Sequence, residues 1–478
     1  MNGLMQNFTF SGEWQMFKTR TMLFAGALAA SLTAGAMASD NTVNEQLNAL
    51  RAELDAVRAT NNQLQGEVAK LRNAGDENWL NERRAAEVKS LVKEVLADAD
   101  TRASLLEGGM SAGHNGKNFF LASEDGSFKM TLGGQIQFRH IWVHQDEASA
   151  SDADDTGFQM RRMKLKAKGH VASPKLKYEL VFAGDRGDGA VEIEDAKMGY
   201  SFGNGWAVDF GKFKIPFLRE ELTSSSKQLA VDRSLVTEWF TLDRSEQVQL
   251  SYSTDTFKFA LSINDGADEE FSTIGADDAE FAVAARVDVA LQGKLKQAGD
   301  FTTWSKDDTG LFVGGAVFFQ AGDSHNGNAG SNNGFGNYTS WTIDGSFESN
   351  GLSLFAAYIG ANMDYDGSSS VDQDPMGLLV QAGYHIIPDK LEPYVRWEMI
   401  DSDVQGEEEL QAFTFGLNWY INKHNAKFTT DVVWVYDGDI SGNDWGNSHF
   451  GDGLGFTGVS NATQDDIFVW RAQFQLLF

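Results

Sequence analysis

Between Phe158 and Val171 the chain reads FQMRRMKLKAKGHV, with Arg162, Lys164, Lys166 and Lys168 at alternate positions. Met163, Leu165, Ala167, Gly169 and Val171 alternate with them. A period of two separates the sets onto opposite faces of a strand, with successive cations about 6.8 Å apart. That spacing lets a small anion pass from one cation to the next. If the apolar face meets lipid, the cations meet water. The reverse would cost about 2–4 kcal/mol for each cation near the middle of a bilayer. Lys175, Lys177, Lys197, Lys212 and Lys214 extend the basic set into the neighbouring segments. Two readings of this sector stand side by side. It forms a path for anions, which rings of Arg and Lys favour, or it is a solvated face that keeps an interior wet.

Such a face needs strands to carry it, and the sequence supplies them from Phe128 onward. In SFKMTLGGQIQFRHIW, Phe128, Met130, Leu132, Ile136, Phe138 and Trp142 oppose Lys129, Thr131, Gln135, Gln137 and Arg139. Trp341, Ile343 and Phe347 oppose Thr342, Asp344 and Glu348 in the same way. Roughly sixteen segments of this kind follow one another, each near the length of a tilted membrane strand. The apolar parity changes at Gly211, where a bulge is expected. The connections alternate in length. ASPK, GNG, TDT, SNG, IPDK and NKHN are short, whereas those between them are mostly long and acidic or glycine-rich. The stretch from Gln292 to Gly310 is the exception, being long where a short turn is due. One-sided loops on alternating strands predict an all-β fold, a sixteen-stranded antiparallel transmembrane barrel over residues 118–478. The closing IFVWRAQFQLLF alternates to its last residue, Phe478, as a strand paired with the first would. An even strand number puts both chain ends on the short-turn side, the periplasm.

The chain before the barrel has two further parts. MFKTRTMLFAGALAASLTAGAMASD, Met16 to Asp40, has a basic start, a short apolar stretch and the small-residue site Ala36-Met37-Ala38. This predicts a secretory signal over 1–38, with Met16 as the initiator and a mature start near Ser39. Residues 39–73 carry a heptad seam of Val43, Leu47, Leu50, Leu54, Val57, Asn61, Leu64, Val68 and Leu71. The seam predicts a coiled coil, with Asn61 at a core position that can fix register. Residues 74–117 read as a weaker helical segment and a polar linker.

Composition narrows the function. The net charge of -29 argues against nucleic acid as a partner. With no cysteine the chain has no thiol chemistry or disulfide scaffold. A mean hydropathy of -0.33 does not exclude a barrel, because half of every strand is polar. The sequence contains no HExxH, GxSxG or P-loop pattern. DGDISGNDWGNS begins like a calcium loop, but its twelfth residue is Ser448 in place of the bidentate Glu. No enzyme, metal or cofactor is expected.

The stretch from FQMRRMKLKAKGHV to VDRSLV resembles the phosphate-selective porin O and P family. Gly211-Lys212-Phe213-Lys214-Ile215-Pro216-Phe217, then Glu221, Ser224, Ser225, Asp232 and Arg233-Ser234, carry the resemblance. It implies a homotrimeric porin of the Gram-negative outer membrane, with lipid and small anions as partners and phosphate as the anion. Two features pull against strict phosphate selectivity. The long loops are acidic, and Asp288, Asp344, Glu348, Glu392, Glu398 and Asp431 stand on later polar faces. A general or cation-preferring pore, with the coiled coil tethering it to the cell wall, is the alternative. An outer-membrane enzyme would need a Ser/His pair at one rim, and nothing points to one. The segment Phe217 to Arg244 loses the period of two and is expected to fold inward as a constriction. Arg219, Lys227 and Arg233 against Glu220, Glu221 and Asp232 would form a mixed-charge eyelet there.

Overall fold

The computed structural model describes residues 40–73 and, from 109 to 478, all but 117, 146–153, 186–188, 268–280, 325–334, 366–371, 404–408, 438–453 and 455–465. The predicted signal, most of the helical segment and linker, and most of the long acidic loops lie outside the described residues. The chain divides into two compact units, Met1–Leu105 and Leu106–Phe478.

In the first unit, helix α1 spans Asp40–Asn73. The second unit is β. Two short strands, β1 (Met110–His114) and β2 (Phe119–Ser123), precede sixteen longer ones: β3 (Lys129–Gln145), β4 (Asp154–Val171), β5 (Ser173–Gly184), β6 (Val191–Gly203), β7 (Trp206–Lys214), β8 (Arg244–Ser253), β9 (Phe257–Asn264), β10 (Phe281–Gln292), β11 (Gly310–Ser324), β12 (Phe335–Ser349), β13 (Leu352–Tyr365), β14 (Met376–Tyr384), β15 (Leu391–Asp401), β16 (Leu410–Asn422), β17 (Ala426–Asp437) and β18 (Ile467–Leu477). Strands β3 to β18 each pair antiparallel with the next, and β18 pairs antiparallel with β3, from Ile467↔Gln145 to Leu477↔Gln135. The sheet is therefore a closed sixteen-stranded antiparallel barrel.

Alternation decides which face points where. Ile136, Phe138 and Trp142 are 40%, 44% and 37% exposed, while Gln135, Gln137 and Arg139 on the same strand are at most 1% exposed. Leu165, Ile343, Phe415 and Trp419 join the outer face; Thr342, Asp344, Thr414 and Asn418 are buried inside. A barrel with apolar side chains outside and polar ones inside is built for lipid.

Phe478 closes the seam. Its N–H donates to the Gly134 carbonyl at 3.1 Å, and its carbonyl accepts from Gly134 N–H at 2.7 Å. A Cβ on Gly134 would lie 2.3 Å from the Phe478 ring, so glycine is required where that ring crosses the strand. Beyond this point β3 runs on without β18, and β2 takes the free edge, from Phe119↔Leu132 to Ala122↔Lys129. β1 then pairs with β2. Residues expected to be linker before Asn118 thus contain a strand, because an uncovered edge offers unpaired backbone groups to the preceding chain.

Candidate functional site: the lumen and its two insertions

Two connections fold into the barrel interior. The first, from the long-loop end, joins β7 to β8. It contains α2 (Arg219–Leu222), a 3-10 turn (Ser225–Lys227) and α3 (Leu235–Phe240). Ser234 caps α3 by accepting from Thr237 N–H, a preferred arrangement at a helix start. Glu220 accepts from the Ser234 hydroxyl (2.5 Å), the Thr237 hydroxyl (2.6 Å) and Arg396 Nη2 (3.0 Å), which ties this fold of the loop to β15.

The wall holds the loop strand by strand. Gln135 of β3 donates to Ser225 Oγ, Lys427 of β17 to the Gln228 carbonyl and Asn418 of β16 to the Leu229 carbonyl. Asp431 of β17 accepts from Val231 N–H, and Glu398 of β15 accepts from Leu235 N–H at 2.6 Å. Arg286 of β10 donates to the Phe217 carbonyl at 2.7 Å. All of these but Gln135 satisfy backbone that would otherwise be buried without partners.

The strongest anchor is Asp232. Arg139 Nη1 (3.0 Å), Arg161 Nε (2.5 Å) and Arg162 Nη2 (2.8 Å) all converge on its carboxylate, which is fully buried. A bulge between Gln137/Phe138 and Arg162/Met160 makes this possible, since the register slips past Arg161. Two consecutive arginines thereby reach one acceptor. Burial alone would raise the Asp232 carboxyl, but Arg161, Arg162 and Arg139 outweigh it and hold it well below the usual carboxylate range. Burial likewise opposes ionisation of Glu221, but Arg233 and Lys214 keep it low. Glu238 goes the other way: burial and the Asp232 charge push it up to about 7.

The second insertion is the connection from Gly293 to Thr309, entering from the short-turn end. Phe301, Thr302, Thr303 and Trp304 are buried. Thr302 Oγ1 meets Tyr420 Oη at 3.0 Å, and Thr303 Oγ1 donates to the Leu352 carbonyl at 2.8 Å. Trp304 packs against His385, Tyr420 and His424, with ring centroids 5.6, 4.9 and 5.2 Å away. Ser305 donates to Asp389 through both its N–H and its hydroxyl.

The two insertions meet at Arg219. Its guanidinium carbon lies 5.4 Å from the Phe301 and Phe355 ring centroids and 6.0 Å from that of Phe312. Its Nη2 donates to the Ala298 carbonyl at 3.2 Å and its Nη1 to Ser346 Oγ at 2.6 Å. Lys227 Nζ donates to the Gly299 carbonyl at 3.3 Å.

The basic residues singled out in the sequence divide by environment. Arg162 is committed to Asp232. Lys164 pairs with Glu194, and Lys214 Nζ lies 2.6 Å from Glu221 Oε1. Lys197 lies 4.0 Å from Glu179 and over the Phe213 ring. Lys212 is buried opposite Glu246 in the ladder, beside Gly211, whose φ of +118° marks the change of parity expected there. Lys166 and Lys168 stand on the inner register row beside Lys164, and Lys175 and Lys177 are exposed near the β4–β5 turn. Among the described residues, Lys166, Lys168, Lys227 and Lys258 form no ion pair. In the loop, Arg219, Glu220, Glu221 and Asp232 are buried, Arg233 Nε pairs with Glu221 at 3.2 Å, and Lys227 is half-buried. The eyelet charges thus bind the wall and one another more than they face a bore. Among the six later acidic residues, Asp344, Glu348, Glu392, Glu398 and Asp431 are likewise buried, several of them as acceptors for the insertions.

Open space remains beside the first insertion, against β6 to β12. One cavity of about 210 Å³ is lined by Asp195, Lys197, Lys214, Lys258, Arg286 and Asp288, among others. Another of about 360 Å³ touches Arg219, Lys227, Lys258 and Asp288, and also Leu295 and Gly299 of the second insertion. Sequence reasoning missed Lys258, Arg286 and Arg161. Lys258 was findable: Phe257, Phe259, Leu261 and Ile263 alternate around it. Arg161 was not, because it breaks the period of two.

An uncharacterized protein of Aquifex aeolicus is 27% identical over 347 residues, which cover 64% of this chain and 81% of that protein. An anion-selective porin from Comamonas acidovorans superposes with a TM-score of 0.49 at 13% identity, covering 73% of this chain and 99% of that one. A loop L8 deletion mutant of OmpT, an outer membrane protein of Vibrio cholerae, gives a TM-score of 0.49 at 13% identity, covering 74% of this chain and all (100%) of that one. The profile of one family, phosphate-selective porin O and P, matches residues 128–445. With a closed sixteen-stranded barrel, an apolar outer face and a family match over most of its length, the chain belongs to the phosphate-selective porin O and P family and is an outer-membrane channel.

Proposed function

We propose that this channel conducts small anions by passive diffusion, phosphate among them, through the space left beside the first insertion. The observation that carries this is the placement of unpaired cations. Lys258 lines both cavities of the sector that keeps open space, and Lys166 and Lys168 stand on the inner register row of nearby β4 with no ion pair among the described residues, while most acids of the filled sector are buried. A charge next to water acts on a passing ion; one buried in a pair is largely cancelled. The family match supports phosphate as cargo; the channel is a homotrimer in the membrane, and its even strand number puts both chain ends in the periplasm. The two insertions together form the constriction, and Arg219 and Lys227 join them.

A second reading has an observation of its own. Asp195 and Asp288 line the same cavity as Lys197 and Lys258, and would let cations compete. Reversal potential in a planar bilayer under a salt gradient, then with added phosphate, decides between the two. Anion-selective current reduced by phosphate is expected. Unselective or cation-selective current without phosphate block overturns the anion reading and favours the second.

A further inference from the structure

Helix α1 presents its apolar seam to solvent: Leu54, Val57 and Leu64 are 48%, 66% and 50% exposed. An isolated helix with such a seam is short of stabilising contacts. The charges beside the seam indicate what covers it. With Leu54 and Asn61 at a and Val57 and Leu64 at d, the charged g positions are Glu53 and Glu67. The charged e positions are Arg51, Arg58 and Arg72. Every charged g is acidic and every charged e is basic.

We infer that α1 packs against α1 of another copy of this chain, parallel and in register. In a parallel coiled coil each g residue faces the e residue five positions further along its neighbour. That rule matches Glu53 with Arg58 and Glu67 with Arg72, acid to base each time. An antiparallel pair sets g against g and e against e, which would oppose acid to acid and base to base. The seam has a second marker of register. Asn61 at an a position meets its own amide only when the helices run parallel and unshifted. Among the described residues, Arg58 is engaged only by Asp55 at 3.7 Å, with both side chains more than two-thirds exposed, at 71% and 75%. An exposed pair of that kind contributes little and leaves Arg58 able to turn to a neighbour.

The chain has no cysteine, so engineered thiols report without background. Leu64→Cys, introduced into the full chain and oxidised in the membrane, is expected to yield a 64-to-64 disulfide between copies. No crosslink, or a crosslink only when Leu64→Cys and Leu54→Cys chains are mixed, overturns the assignment, the latter because antiparallel helices set a d position against an a position. Arg58→Glu should slow crosslinking severalfold, and adding Glu53→Arg should restore it. Failure of the exchange to restore it overturns the charge pairing. The gel shift of the unheated barrel confirms that each variant is folded. Bilayer conductance of the same protein tests the channel reading separately.

Discussion

Two sectors of the barrel wall carry charge of opposite use. From β14 round through β18 to β3, the inner face is packed against the first insertion. Arg139, Arg396, Arg471, Glu392, Glu398 and Asp431 are all at most 2% exposed there. From β4 to β9, Lys168 and Lys258 are exposed and Lys166 is half-buried. The residue types are the same, but their surroundings are not. In the packed sector a charge has exchanged water for a partner, and its energy goes into holding a loop in one place. In the open sector Lys166, Lys168 and Lys258 keep their water and act on whatever passes. The number of acids or bases on a lumen face therefore says little about selectivity until it is known which are covered.

The comparison can be broken most severely at Asp232. Asp232→Asn leaves three guanidiniums around a neutral group. Loss of one partner of a buried charge cluster costs about 3–5 kcal/mol. We expect the temperature at which the barrel loses its folded gel mobility to fall sharply, with larger and noisier currents as the insertion comes loose. An unchanged temperature would mean that the packed sector does not depend on this cluster. Next in size, replacing residues 294–308 by a tight Ser-Asn-Gly turn should raise single-channel conductance severalfold, because the second insertion is gone and Arg219 loses Ala298 and Phe301. Unchanged conductance would place the narrowest point elsewhere.

Smaller effects sharpen the contrast. Lys258→Gln should move the reversal potential toward cations at nearly constant conductance, whereas Glu398→Gln, on the covered side, should leave it where it was. Equal shifts from the two would erase the distinction between sectors. Last comes pH. Glu238 holds its proton more tightly in the folded protein than at its ordinary value of 4.5. Its contribution to stability therefore falls as pH rises from that value through about 7. Glu238→Gln should flatten thermal stability across that window, and a slope unaltered by the substitution would assign the pH dependence to another group.

Much of this architecture could be read from the residues. Period-two alternation placed Gln135, Gln137 and Arg139 inside and Ile136, Phe138 and Trp142 outside, because a strand has only two faces. The loss of that period after Phe217 marked the inward loop. The unexpected length from Gln292 to Gly310 was visible, but not its destination. Where it goes depends on a hydrophobic seat for Trp304 made by His385, Tyr420 and His424, which are remote in sequence. Long-range pairings such as Arg139 with Asp232 leave no local trace, and the bulge at Arg161 runs counter to the rule by which the rest was read.

The Phe478–Gly134 seam has a consequence in time. Leu477 finds its partner, Gln135, across nearly the whole barrel, so the closing contact is the most non-local in the barrel and costs the most loop entropy to form. Until β18 arrives, β3 and β17 both present open edges. The β1–β2 hairpin shields only Lys129 to Leu132 of the first. Every molecule in assembly passes through a stage that is adhesive along both edges. The rate at which its last strand docks sets how long it needs protection from other unfinished barrels.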